Sequence, residues 1–142
     1  MNNNTTIPTP TLQLPHDPLR VPDPRGPLCN IPGYAPGLEA GVHIDILRLQ
    51  KLGAAQCTAS PGPRKCTRTA CFLGAAVWLC NDHDYVTSAP CSVIGDYAQR
   101  ILDKCKYSVG DRNLVQGQLF DTGNKGDVNQ GWGNVVVGHD DC

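Results

Sequence analysis

The chain has 142 residues, the size of a single domain, and a formal net charge of -1. This near-neutral balance gives no electrostatic reason to expect a nucleic acid or an anionic membrane surface as a partner. No apolar run approaches the ~18 residues of a membrane span, so composition argues against nucleic-acid-binding and membrane-spanning proteins.

The cysteines are the most informative residues of the composition. Eight cysteines with only 6% aromatic residues are typical of a small secreted domain in which disulfides supplement a small core. They are Cys29, Cys57, Cys66, Cys71, Cys80, Cys91, Cys105 and Cys142. No C-x-x-C motif occurs and the histidines are scattered, which makes a structural zinc site the weaker interpretation. We therefore expect disulfides of unassigned connectivity, no metal site and no cofactor.

Residues 1–28 are interpreted as a disordered, proline-rich arm. Nine of the 12 prolines fall within residues 1–36, where neither helical nor strand periodicity is present. The residues after Met1 lack the basic and apolar regions of a signal peptide, so either a leader has been removed or the protein is not exported. The disulfide-rich domain is expected to occupy residues 29–142.

Three segments precede the clearest helix. In residues 41–52, β-branched side chains such as Val42 and Ile44 alternate with polar ones, which predicts a strand with a bulge; a short helix is the alternative. Residues 53–69 are rich in Ala, Thr, Ser, Pro and basic side chains and are predicted to form a surface loop. The most apolar run, residues 71–80, is predicted to be a buried central strand.

Residues 88–106 are predicted to form one long amphipathic helix. The apolar side chains recur at spacings of one and three, which places them on one helical face. They are Val93, Ile94, Tyr97, Ala98, Ile101, Leu102 and Cys105. Ser88 is the predicted N-cap, Pro90 suits the first turn, and Lys104 places a cation at the C-terminal end.

The same helix carries a cysteine near each end. Cys91 and Cys105 are separated by about 21 Å at a rise of about 1.5 Å per residue, which is too far for a disulfide between them. Each must therefore reach another segment or stay free.

The C-terminal part is predicted to form an antiparallel hairpin. Residues 114–120 and 131–137 have strand-like patterns and are joined by a loop rich in Gly, Asn and Asp. Long loops of this kind often carry function, so Asn124, Lys125 and Trp132 are the predicted partner-binding residues. Trp132 is suited to stacking on a sugar or a partner, and packing onto the helix is the alternative.

Two polar loops each contain a histidine and carboxylates. These are residues 81–84, with His83, and residues 138–141, with His139. If the preceding strand ends were adjacent, the side chains could form a metal site or an acid/base pair, although ordinary polar loops explain them more simply. We predict no catalytic residue, and a small hydrolase that uses these histidines is an alternative.

The order of short motifs resembles the small secreted cysteine-rich proteins of plant-associated filamentous fungi, and among them the α/β-sandwich killer-toxin type. The motifs are Cys80-Asn81-Asp82, Ile101-Leu102-Asp103-Lys104-Cys105, Gly117-Gln118-Leu119-Phe120 and a last strand closing in a cysteine. The resemblance covers about residues 41–142 and implies a secreted, disulfide-linked antiparallel sheet with a helix on one face.

One departure from that family affects the implied activity. Killer toxins of this type are basic, and a basic residue before a strand cysteine is implicated in their action on ion channels. Here Trp78 and Leu79 precede Cys80, and the chain is slightly acidic. The resemblance therefore implies a host-directed effector more than a channel blocker.

Together these patterns predict an α+β domain in which a small antiparallel sheet packs against one long helix and is held by disulfides. The predicted function is that of a secreted, non-enzymatic effector, virulence-related or toxin-like. It would act in the extracellular space on a host or competitor protein or a cell-surface glycan. Action together with a second effector protein is a further alternative. A lectin-like module is the alternative, and a small secreted hydrolase is less favoured.

Overall fold

The structure, a computed structural model, describes residues 22–122 and 131–142. Over these ranges the chain forms two helices and ten strands. In chain order they are β1 Leu28–Cys29, β2 Gly37–Leu38, α1 Glu39–Leu52, β3 Gln56–Ala59, β4 Lys65–Phe72, β5 Ala75–Asn81, β6 Thr87–Pro90, α2 Cys91–Cys105, β7 Tyr107–Val109, β8 Arg112–Val115, β9 Gly117–Phe120 and β10 Asn134–His139.

Five strands form the main sheet, in the order β1-β9-β10-β5-β4, with each neighbouring pair antiparallel. At its centre Val77 lies opposite Val137, and Leu79 lies opposite Val135. These side chains are fully buried in the same core as the apolar faces of both helices, because alternate residues of a strand point to one face. A second sheet has the order β2-β8-β7, and a third consists of β3 and β6.

Helix α2 confirms the predicted amphipathic helix, but it begins at Cys91. Ser88 lies in β6 opposite Thr58, and Pro90 occupies the N-cap position. The predicted N-cap at Ser88 is wrong because β3 pairs with the segment before the helix and keeps that segment extended. The predicted apolar stripe is buried throughout, and Lys104 lies in the last turn as expected.

Helix α1 replaces the strand predicted over residues 41–52, so that prediction is wrong and the helical alternative is correct. Val42, Ile46 and Leu49 are buried at spacings of four and three, the repeat of one helical face. This face packs against α2 and against β4 and β5 of the main sheet. Within the described ranges, two helices therefore pack on the same core.

The apolar run of residues 71–80 is not one strand. Strand β4 ends at Phe72, β5 begins at Ala75, and the two pair as an antiparallel hairpin. The turn between them consists of Leu73 and Gly74, with φ of 52° and 73°. Positive φ at both positions gives a two-residue turn the twist that a tight hairpin requires. Only the second half of the run, β5, is the predicted buried strand, and it lies between β10, the middle strand of the sheet, and β4 at the edge.

The surface loop predicted over residues 53–69 is also partly wrong. It contains β3, which pairs with β6, and the first half of β4, which pairs with β5. Strand β4 is at the edge of the main sheet, where polar and basic side chains are common. Its composition therefore resembles that of a loop.

The predicted C-terminal hairpin is confirmed in part, since β9 pairs antiparallel with β10. The strand predicted over residues 114–120 is divided between two sheets, because β8 ends at Val115 and β9 begins after Gln116. The Gln116 side chain accepts a hydrogen bond from the backbone N–H of Ile31 and donates one to its carbonyl oxygen, both at 2.7 Å. The last strand begins and ends later than the predicted residues 131–137.

All eight cysteines are paired, which confirms the disulfide prediction. The bonds are Cys29–Cys105, Cys57–Cys91, Cys66–Cys80 and Cys71–Cys142. The first two attach the ends of α2 to β1 and β3, the third joins β4 to β5, and the fourth ties the C-terminus to β4. Disulfides are consistent with an oxidising, extracellular environment.

The last residues of the predicted arm are attached to the main sheet. Pro22 forms an isolated β-bridge with Asp121. The Arg25 side chain hydrogen-bonds to Asp23 at 2.7 Å and lowers the pKa of that carboxyl. Residues 22–28 thus belong to the described structure, and the disorder predicted for the earlier part of the arm concerns residues outside it.

The architecture is α+β with antiparallel sheets and disulfides, as predicted. The finer prediction, a small sheet against one long helix, needs correction because α1 and α2 have 14 and 15 residues and pack on each other. Within the described ranges, neither helix has the length and apolar content that crossing a bilayer requires.

Candidate functional site

The predicted partner-binding residues fall into two groups. Asn124 and Lys125 lie outside the described residues, so their role stays a prediction. Trp132 is buried, with 7% of its surface exposed, and its ring centroid lies 5.2 Å from that of Tyr97 on α2. This position corresponds to the core-packing role that the sequence left open, and it leaves little of the indole face for a ligand.

The two histidine-containing loops do not meet. Strands β5 and β10 are antiparallel neighbours, with Cys80 opposite Asn134 and Ala75 opposite His139. Their C-terminal ends therefore lie at opposite ends of the sheet, and His83 and His139 cannot share a pocket. The hydrolase alternative loses the geometry on which it depends. Within residues 22–122 and 131–142, no group of three or more His, Cys, Asp or Glu side chains could hold a metal ion.

The 81–86 loop, residues 81–86, begins at Asn81, the last residue of strand β5, and this residue fixes the loop. Asn81 is fully buried. Its side-chain amide donates hydrogen bonds to the carbonyl oxygens of Ser60 at 3.0 Å and Tyr85 at 2.7 Å. Its side-chain oxygen accepts one from the backbone N–H of His83 at 2.8 Å. An asparagine that bonds the backbone of its own loop in this way stabilises a turn.

Neighbouring segments hold the 81–86 loop from outside. The backbone N–H of Gly62 donates to the carbonyl oxygen of His83 at 2.6 Å, and that of Arg64 donates to Asp82 Oδ1 at 3.1 Å. His83 Nε2 lies 2.6 Å from the carbonyl oxygen of Gly131. Because a carbonyl oxygen only accepts, Nε2 carries the hydrogen of this bond. Both the backbone and the imidazole are therefore fixed.

The 81–86 loop presents an aromatic ring to solvent. The rings of His83 and Tyr85 are stacked, with centroids 4.8 Å apart and planes inclined by 18°. Tyr85 is 57% exposed and Val86 is 59% exposed. The imidazole stacks on one face of the phenol ring, and Tyr85 as a residue is still more than half exposed. The sequence analysis did not identify Tyr85 or Val86 as candidate site residues. The signal available for Tyr85 was an aromatic side chain within an acidic loop.

The charged side chains of the 81–86 loop and of the segment bonded to it are balanced in number. Asp82 and Asp84 are exposed on the loop itself. Arg64 and Lys65 are exposed on the neighbouring segment, and Lys65 lies opposite Asn81 in the β4–β5 register. The surface around Tyr85 is therefore polar without a strong net charge.

A concave region lies where α1 begins. It is a cleft of about 390 Å³. Its walls are Leu38, Glu39, Ala40 and His43 at the start of α1, and Asp111, Arg112 and Asn113 in the β7–β8 hairpin. His43 Nε2 lies 3.3 Å from Glu39 Oε2, so two of the polar side chains that line the cleft already contact each other. The cleft is open and mixed in charge, and it makes a weaker candidate than the 81–86 loop.

The most perturbed carboxylate lies in the core. Asp45 on α1 is fully buried, and in the described structure neither of its oxygens has a hydrogen-bond partner. Burial raises the pKa of Asp45 to about 7, while the charges of Arg48 and Arg68 oppose that rise. Because it is enclosed between α1 and the sheet, Asp45 affects stability and is not part of an exposed surface.

Comparison with protein-family models, curated proteins and solved structures yields no match for this chain.

Proposed function

We propose that this protein is a secreted effector that acts in the extracellular space by binding a target on a host or competitor cell, without catalysing a reaction. The observation that supports this most strongly is the exposed aromatic residue of the 81–86 loop, held in place by the hydrogen bonds of the buried Asn81 side chain. A surface that is already ordered loses little conformational entropy on binding, so even a small one can contribute useful affinity.

Two further observations support secretion and the effector class. The disulfides suit an oxidising compartment and allow a small core to stay folded outside the cell. The motif order of residues 41–142 resembles the small secreted cysteine-rich proteins of plant-associated fungi. Some proteins of that kind act on host cells and others on competing microbes, and the proposal includes both kinds of target.

The proposal is tested with the full chain carrying a fluorescent label at its N-terminus. Saturable binding to intact plant cells and to intact fungal cells is measured for the wild type, Tyr85→Ala and Tyr107→Ala. Tyr107 is a matched control because it is 41% exposed but lies in β7. We expect Tyr85→Ala to bind at least about tenfold more weakly and Tyr107→Ala to match the wild type.

Thermal unfolding of each variant shows whether the fold is intact. The proposal fails if the wild type shows no saturable binding to either cell type, or if folded Tyr85→Ala binds as well as the wild type.

A further inference from the structure

We infer that the 81–86 loop binds a neutral glycan, with one sugar ring stacked on the exposed face of Tyr85. This inference rests on the proposed function and assigns the class of ligand to the same surface. It depends on three features of the loop: the shape of the exposed ring, the placement of the hydrogen-bond acceptors, and the size of the surface.

The ring offers a flat, fixed platform. His83 stacks on one face of Tyr85 at a centroid distance of 4.8 Å and is itself held by the Gly131 carbonyl oxygen at 2.6 Å. The Tyr85 residue is 57% exposed although the imidazole stacks on one face of its ring, and the proposed ligand would contact the other face. The C–H face of a pyranose ring is flat, apolar and close in size to a phenol ring, and it stacks on such a face.

Carboxylates next to the ring suit sugar hydroxyls. Asp82 and Asp84 are exposed, and an ionised carboxylate only accepts hydrogen bonds, whereas each hydroxyl can donate one. Asp82 is positioned by the backbone N–H of Arg64 at 3.1 Å and keeps further lone pairs for a ligand. Arg64 and Lys65, on the segment that bonds to the loop through Asp82, match the two carboxylates in number, so the loop and this segment together carry no net charge and suit an uncharged glycan.

The size of the surface favours a sugar over a protein. A stable protein interface buries about 800 Å² on each partner, whereas one aromatic side chain contributes about 150–250 Å². The apolar part of this surface consists of Tyr85 and its neighbour Val86, and the same loop carries the exposed carboxylates of Asp82 and Asp84. It therefore corresponds to one or two sugar units.

The first experiment separates a glycan from a protein target. The labelled full chain is added to the same cells before and after their walls are stripped of protein with protease and hot detergent. If a glycan is the ligand, the wild type binds stripped and intact walls equally, and Tyr85→Ala binds neither. If stripping abolishes the binding, the glycan inference is overturned, while the proposed function stands on a protein target.

The second experiment tests the ring directly and does not depend on cells. Saturation-transfer NMR measures binding of laminarihexaose, cellohexaose, chitohexaose and mannohexaose to the full chain. We expect at least one of them to bind, with affinity kept within about threefold by Tyr85→Phe and weakened at least about tenfold by Tyr85→Leu, since only the first keeps a ring to stack on. Asp84→Asn should weaken binding several-fold because a neutral amide is a weaker acceptor.

Thermal unfolding again shows that each variant is folded. The inference is overturned if none of the four oligosaccharides binds the wild type, or if Tyr85→Leu binds as Tyr85→Phe does. Because this result is independent of the cells, it is decisive even if the wild type binds no cell surface and the proposed function fails.

Discussion

The side-chain amide of Asn81 donates a 2.7 Å hydrogen bond to the carbonyl oxygen of Tyr85, so a residue buried in the sheet sets the position of an exposed ring. Asn81→Ala should lower the free energy of unfolding by about 1–3 kcal/mol, because the backbone groups that hydrogen-bond to the Asn81 side chain lose their partner. It should also weaken target binding although Tyr85 is unchanged. Urea unfolding and the cell-binding assay measure the two effects.

Gln99→Ala provides the control for Asn81→Ala. It removes a surface side-chain hydrogen bond, from Gln99 to Asp103 at 2.9 Å, far along the sequence from the loop. Stability and binding should both stay close to the wild type. If folded Asn81→Ala bound its target normally, the positioning role of Asn81 would be wrong.

Burial of Asp45 should make the protein less stable as the pH rises. Its pKa is raised from 3.8 to about 7 in the folded state, so the folded protein holds the proton more tightly than the unfolded chain does. The contribution of the protonated Asp45 to the free energy of unfolding is complete below pH 4 and is lost as the pH rises through 7. At about 1.4 kcal/mol per pKa unit, the loss from this group is at most about 4 kcal/mol.

Asp45→Asn should remove this part of the pH dependence, because the amide does not ionise. Urea unfolding between pH 5 and pH 8 is the measurement, and the variant should gain stability relative to the wild type as the pH rises. Asp103→Asn, at an exposed position of α2, should keep the wild-type profile. Parallel profiles for Asp45→Asn and the wild type would contradict the assigned pKa.

The disulfides should differ in their contribution to stability. Cys29–Cys105 joins residues 76 apart in sequence, whereas Cys66–Cys80 joins residues 14 apart. Restricting the unfolded chain stabilises the fold by about 4.5 kcal/mol for the longer loop and about 3 kcal/mol for the shorter one. Replacing both cysteines of a pair by alanine should therefore cost more for the first pair, as measured by urea unfolding.

Reductant supplies the control for the disulfide comparison. With all bonds reduced, the alanine variants and the wild type should have similar stability, because the covalent links are then absent from each of them. In the unreduced protein, an alkylating reagent should add no mass. A larger loss of unfolding free energy for the Cys66–Cys80 variant than for the Cys29–Cys105 variant would contradict the predicted dependence on loop length. Alkylation of the native protein would contradict the disulfide pairing itself.

Two helix glycines should respond in opposite ways to alanine. A Cβ at Gly41 would overlap the carbonyl oxygen of Phe72 and lie 2.8 Å from the Cβ of Ala75, so Gly41→Ala should push α1 off the β4–β5 hairpin. We expect a loss of about 1–3 kcal/mol, as for other overpacked cores.

The matched substitution is in α2. At Gly95 the nearest atom to a new Cβ is Nε2 of Gln50, at 2.9 Å, the end of a side chain that can move. Gly95→Ala should change the unfolding free energy by less than about 1 kcal/mol, since better helix propensity offsets the adjustment. Equal losses for the two variants in urea unfolding would show that α1 does not approach the hairpin this closely.

How far the sequence predicted the fold depended on how clearly each element separates its apolar and polar faces. The stripe of α2, from Val93 to Cys105, is buried along its whole length, and the helix was predicted from it. In α1 the pattern is blurred because Leu47 and Leu52 are more than half exposed while Asp45 is buried. The β-branched residues then suggested a strand.

The turn between β4 and β5 escaped prediction for a different reason. Two-residue hairpin turns are recognised by Asn, Asp or Gly at both positions, and here the first position is Leu73. A leucine inside an apolar run gives no sign that the chain reverses, so the hairpin could not be predicted from these residues.

The candidate site was harder to predict because its parts are distant in sequence. The sequence makes His83 a candidate for a metal site or an acid/base pair. In the structure its hydrogen-bond partner is the carbonyl oxygen of Gly131, which the pairing of β5 with β10 brings close to it. Asn81 fixes its loop partly through Ser60, which lies in another segment. Trp132 and Tyr85 are both aromatic residues beside polar loops, and only burial distinguishes the core residue from the exposed one.

The two widest disulfides overlap along the chain, since one joins Cys29 to Cys105 and the other joins Cys71 to Cys142. Every peptide bond from Cys29 to Cys142 therefore lies within at least one covalently closed ring. A protease that cuts once in this span leaves two pieces that remain attached, and a fragment separates only after a second cut. A single proteolytic cut can thus nick the molecule without releasing a fragment.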